Sequence, residues 1–140
     1  MKSIICTAAN QTFASLAFDL FQSIHNKAAN TDIAIGLLDT GLTENTVKQL
    51  RPHVTHVVTP GWDVDFANLH RADNSYLNEK WLRDSQGMQA MTARPWLPKH
   101  FPGYDVYIWI DADCWVQEWT TVDWLIRGAS DGALCITAEL

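Results

Sequence analysis

The sequence predicts one α/β domain: a mostly parallel central sheet with helices on both faces. Three observations predict it. Over the first sixty residues, short apolar runs alternate with helical stretches in the order β-α-β-α-β, and parallel neighbours need crossovers of that length, which are right-handed. Val106 to Ile110, behind the turn signal Pro102-Gly103, is a further β-branched and aromatic run that reads as a strand buried on both faces. Finally, 140 residues at 47% hydrophobic and 19% charged supply one domain with one core.

Ser3 to Ala8 is the first strand and opens on Asn10-Gln11-Thr12. Phe13, Leu16, Ala17, Leu20, Phe21 and Ile24 then recur at helical spacing and make one broad apolar face. Asn26 to Asn30 breaks that helix, and Ile33 to Leu38 is a second buried strand ending in Asp39. Thr43 caps a short helix with Glu44 in its first turn and Val47 and Leu50 on its apolar side. Arg51-Pro52 stops it, and Val54 to Val58 is the third strand. Pro60-Gly61 begins a long irregular stretch in which only Tyr76 to Leu82 carries some helical pattern. Gln89 to Arg94 reads as helix until Pro95 and Pro98 interrupt it. Beyond Ile110, Thr121 caps a helix through Val122, Leu125 and Ile126 with Gly128 near its end, and Gly132 to Ala138 is a final strand. There is no internal repeat, low-complexity tract or linker.

A net charge of −6 argues against a general nucleic-acid or anionic-membrane surface. Cys6, Cys114 and Cys135 are odd in number, far apart and without a C-x-x-C pair, which suits reduced thiols in the cytoplasm. Met1-Lys2 before Ile4-Ile5-Cys6 is too short for a signal peptide, and no apolar run reaches the roughly 18 residues of a membrane span. The seven tryptophans suit an aromatic core better than a cleft for flat ligands, and Trp109 and Trp115 are assigned to that core. His25, His53, His56, His70 and His100 show no ligand spacing.

The chemistry concentrates where the Val106–Ile110 run ends, in Asp111-Ala112-Asp113. On extended backbone, residues two apart point the same way, so two carboxylates stand side by side. They repel each other unless a cation or hydrogen-bond donors meet them, and a hard divalent cation holding phosphate oxygens is the natural partner. The carboxyl end of a strand is also where open α/β sheets bind ligands. Asp63-Val64-Asp65 repeats the pattern without a long strand feeding it, and reads as a pair of solvated loop acids. The first strand lacks the glycine patterns of dinucleotide and P-loop sites. Its polar turn suits an amide-rich base edge better than a bare phosphate.

These residues resemble a known family. Arg94-Pro95-Trp96-Leu97-Pro98, Phe101-Pro102-Gly103-Tyr104-Asp105 and the strand into Asp111-Ala112-Asp113 look like the metal-binding strand of GT-A glycosyltransferases. The closest type is family 8, the glycogenin and bacterial galactosyltransferase relatives. Phe13, Ser23-Ile24 and Leu38-Asp39-Thr40-Gly41-Leu42 keep that family's spacing, and the likeness is weakest from Pro60 to Met88.

The resemblance implies a Rossmann-like GT-A fold, incomplete at its C-terminal end, in which residues 1–140 are a single nucleotide-sugar-binding domain and a part of a transferase. It implies hexosyl transfer from a UDP-sugar to a glycan, lipid or protein acceptor. Mn²⁺ or Mg²⁺ held by Asp111 and Asp113 would assist departure of the nucleoside diphosphate. It further implies that Ala8, Ala9, Asn10 and Gln11 carry the base, that Arg94 reaches the donor phosphate or sugar, and that Asp39 either serves the site or caps its turn. The family commonly has an acid near Gln11, absent here, and a third metal ligand, commonly His, with most of the acceptor site, beyond the equivalent of Leu140. The final strand would then leave an uncovered sheet edge and favour self-association.

Two alternatives stand beside the transferase. One is a non-catalytic nucleotide-sugar-binding module or inactive remnant. The other is a haloacid-dehalogenase-type phosphatase, whose Asp-x-Asp normally continues Gly-Thr near the N-terminus; here Cys114-Trp115 follows, with no Lys downstream.

Overall fold

The computed structural model describes residues 1–28, 31–64, 86–130 and 132–135. Its strands are β1 (Ser3–Ala9), β2 (Ala34–Asp39), β3 (His56–Val58) and β4 (Val106–Trp109). Its helices are α1 (Ala14–Lys27), α2 (Glu44–Leu50), α3 (Gln86–Ala93), α4 (Leu97–His100) and α5 (Trp119–Ala129). The four strands form one sheet in the order β3-β2-β1-β4, and every pairing is parallel.

That order explains why both faces are covered. The chain steps from β1 to β2 to β3 in one direction, and right-handed crossovers keep their connectors on one face. Ile5, Ile35, Leu37, Val106 and Ile108 bury there against Ala17, Leu20, Phe21 and Ile24 of α1, Leu50 of α2 and Val122 of α5. The step back from β3 to β4 reverses direction, and the described part of its connector that holds α3 and α4 packs on the opposite face. There Ile4, Cys6 and Leu38 meet Ala93, Leu97 and Phe101. Gly36 is required at this contact, because a Cβ would come within 2.9 Å of the Phe101 ring. Burial of the Cys6 thiol pushes its pKa up to about 12.

Several boundaries differ from the sequence reading, each for a local reason. β3 begins at His56 because Thr55 spends its backbone N–H on Ile35 O and its hydroxyl on the Ile35 N–H. α5 begins at Trp119, not at a Thr121 cap; its N-cap is Glu118, which makes no side-chain capping bond. Gly128 lies inside α5, where a Cβ would stand 2.9 Å from Cys135 Sγ: it makes room for the returning chain. Gly132–Cys135 is not strand, and Gly132 turns at φ 76°. The rest of the expected final strand, and the Tyr76–Leu82 stretch, lie outside the described residues. Trp62, Trp96, Trp115 and Trp124 are exposed, so the aliphatic residues and Phe21 and Phe101 fill the core instead.

Candidate functional site

The sheet reverses direction between β1 and β4, and in open α/β sheets the crevice outside the carboxyl ends at such a point receives ligands. Ala9-Asn10-Gln11 leaves β1 there and Ile110-Asp111 leaves β4. The paired acids do not sit on extended backbone. β4 ends at Trp109, and the Cys114 N–H donates to Asp111 O at 3.0 Å, so Asp111 to Cys114 is a closed turn. Strand alternation therefore does not set how the two carboxylates stand; this turn carries both. Ala112 is buried and plugs the turn into the core, while Asp111 and Asp113 are exposed. Burial first, and then the charges of Asp113 and Asp111, raise the pKa of the Cys114 thiol beside them. The turn is tied from behind, where the Val116 N–H donates to Ser23 Oγ on α1 at 2.9 Å.

Arg94 and Asp111, seventeen residues apart, meet in this crevice. Arg94 Nη2 donates to Asp111 Oδ1 at 2.9 Å. The Trp109 Nε1–H donates to the same oxygen at 2.7 Å, and the Arg94 guanidinium lies 4.5 Å above the Trp109 ring. Trp109 thus belongs partly to the core and partly to the site, a role its apolar neighbours in the sequence concealed. Arg94 is held in position because Pro95, just inside a short 3-10 turn, halts α3 at its mouth.

The turn after β1 is ordered by its own polar side chains. Asn10 Oδ1 accepts from the Thr12 and Phe13 N–H groups, so Asn10 is the capping residue. Gln11 Oε1 accepts from the Thr43 N–H and the Thr46 hydroxyl, both at 3.0 Å, and ties this turn to the start of α2. Asp39 takes its turn-capping role, accepting from the Gly41 and Leu42 N–H groups. Ala9 is buried and Ala8 and Asn10 are half-buried, which leaves Gln11 the most exposed residue of this turn.

Asp63 overturns its reading as a solvated loop acid. Its side chain is only 1% exposed and accepts from Lys99 Nζ at 2.6 Å and His100 Nε2 at 2.7 Å. Burial alone would raise its pKa, but those two bonds and charges hold it below the usual carboxylate value. Gln89 Nε2 donates to Pro60 O nearby, so the segment after β3 is pinned to α3 and α4 at two points. Asp65 and His70 lie outside the described residues. Among the described residues no group of three His, Cys, Asp or Glu side chains is placed to hold a metal ion, and Cys6, Cys114 and Cys135 are free thiols.

No family model matches the chain, and no curated protein matches it. Solved structures do. The chain is similar to the galactosyltransferase LgtC, crystallised in complex with donor and acceptor sugar analogues, at a TM-score of 0.55 and 20% identity. That alignment covers 86% of this chain and 41% of LgtC. An active-site mutant of LgtC matches with the same values. The likeness establishes the architecture: this is a GT-A-type α/β fold, as the strand and Asp-x-Asp resemblance implied. The chain spans less than half the length of the solved structures it matches. No described helix is long and apolar enough to cross a membrane.

Proposed function

We propose that this chain is the nucleotide-sugar-binding part of a metal-dependent glycosyltransferase that takes a hexosyl group from a UDP-sugar. One observation carries the reading: Arg94 and Asp111 converge, 2.9 Å apart, at the sheet's reversal point on a GT-A-type fold. A guanidinium suits a diphosphate, and exposed carboxylates suit a hard cation.

The donor set fits such a cation. Asp111 and Asp113 offer carboxylate oxygens from one exposed turn, and no described residue bonds to Asp111 Oδ2. Water and diphosphate oxygens would complete the shell, as Mg²⁺ and Mn²⁺ sites at phosphates commonly do. When bound, the metal offsets the charge that develops on the departing nucleoside diphosphate. The chain's own residues then have separate tasks. Arg94 neutralises and orients the diphosphate bidentately. The Ala8-to-Gln11 turn holds the base through backbone groups and the Asn10 and Gln11 amides. Gln11 Oε1 is already engaged on α2, so the Gln11 contribution would come from its amide N–H₂.

Calorimetry with UDP, GDP, ADP and CMP, with and without Mn²⁺, tests this reading. We expect UDP to bind best and to need Mn²⁺ for full affinity. Nucleotide-indifferent or metal-indifferent binding would overturn it. The second reading is a nucleotide-sugar-binding module without turnover. Donor consumption in the presence of candidate acceptors separates the two.

A further inference from the structure

We propose that Trp109 is the positioning residue of this site, one indole that sets the geometry of both charged groups. The inference rests on the reading of Asp111 as a metal ligand. Trp109 closes β4, and its ring packs against the cluster of Ile4, Cys6, Leu38, Ala93, Leu97 and Phe101. The indole is therefore anchored by the core while its edge and one face serve the crevice. Its Nε1–H holds Asp111 Oδ1 at 2.7 Å, and its face carries the Arg94 guanidinium at 4.5 Å. Arg94 Nη2 reaches the same oxygen.

Two donors on one oxygen stop the carboxylate from rotating and leave Oδ2 for a cation. The two donors are not equivalent. Arg94 is half-exposed and charged, so a diphosphate can draw it away. The indole is neutral and fixed, so Asp111 stays oriented after Arg94 has turned to the donor. A neutral donor also orients the ligand without repelling the metal, which a Lys or Arg at this position would do. Trp109 thereby separates orientation of Asp111 from the charge balance of the site.

The test uses the whole chain with Mn²⁺ and UDP as probes. Trp109→Phe keeps a ring under Arg94 and removes the N–H; Trp109→Leu removes both. We expect Trp109→Phe to lose roughly tenfold in the Mn²⁺-dependent part of UDP affinity, the scale of outer-shell losses at metal sites. Its metal-free UDP affinity should stay close to wild type, whereas Trp109→Leu should lose both. The indole ¹H–¹⁵N spectrum gives a second readout. The Trp109 Nε1–H peak should shift in Asp111→Asn and should broaden with Mn²⁺ ahead of the indoles remote from the turn. That measurement needs no folded Trp109 variant, and a peak set unmoved by Asp111→Asn would overturn the role. Normal Mn²⁺ coupling in Trp109→Phe would overturn it too, leaving the functional reading intact. Wild type without any Mn²⁺-dependent UDP binding would remove the functional reading, and the positioning role with it.

Discussion

Asp63, after β3, and Asp111, after β4, each accept two hydrogen bonds, at least one from a cationic side chain, at distances of 2.6 to 2.9 Å. Their surroundings differ. The Asp63 side chain is 1% exposed and that of Asp111 is 56% exposed. A buried pair cannot exchange partners without stranding a desolvated charge, so it fixes structure. An exposed pair can hand either member to water, a cation or a phosphate at little cost. The same chemistry is thus a rivet in one place and a latch in the other, and burial decides which.

The sharpest way to break the comparison is at the rivet. Asp63→Ala strands the nearly buried His100 ring and removes one of the two ties on the segment after β3. We expect a loss of about 3 kcal/mol of stability in urea denaturation, the scale for removing one partner of a buried, hydrogen-bonded charge. A loss below about 1 kcal/mol would place Asp63 with ordinary surface pairs. The pH dependence carries a sign. The folded-state pKa of Asp63 is lowered from 3.8, so its contribution is fully present above that value and is lost as pH falls through the lower folded one. The wild-type advantage over Asp63→Ala should therefore shrink only in acid, below about pH 4.

Much of the fold was legible because apolar spacing reports directly on burial. Ala17, Leu20, Phe21 and Ile24 are all buried in α1 as their spacing required, while Leu16, at the edge of the stripe, and Phe13, in the 3-10 turn before the helix, stay exposed. Asp111 and Asp113 stood out as paired acids behind an apolar strand, although on extended backbone rather than in the turn they form, and Arg94 stood out through the family resemblance. Asp63 was not, because its partners Lys99 and His100 lie 36 and 37 residues away and only the tertiary fold brings them near. Trp109 was hidden differently: in a strand pattern an indole counts as an apolar residue, and its N–H leaves no trace. Gly128 looked like a helix end because a glycine required by the returning Cys135 cannot be told from a C-cap by sequence.

At the latch, Asp111→Asn and Asp113→Asn should leave thermal stability nearly unchanged, since both side chains are exposed. Mn²⁺-dependent UDP binding should fall at least about tenfold in each, as expected when a carboxylate that must carry charge becomes an amide. The two variants also discriminate within the pair. Asp111→Asn should disturb the Arg94 contact as well, so its metal-free UDP affinity should change, while that of Asp113→Asn should not. Wild-type binding by both variants would remove the metal assignment.

The smallest expected effect is the most specific one. Arg94→Lys keeps the positive charge beside Asp111 but removes the planar fork, and an ammonium stacks less well on Trp109. Folding should change by less than about 1 kcal/mol, the usual range for a pair this exposed. UDP affinity should fall by about 1–2 kcal/mol, the worth of a charge-assisted contact. Uridine, which has no phosphate, should bind as it does to wild type. Equal losses for UDP and uridine would mean that Arg94 shapes the crevice rather than meeting the diphosphate. A stability loss near that of Asp63→Ala would mean that Arg94 and Asp111 form a second rivet, and the contrast between the two acids would fail.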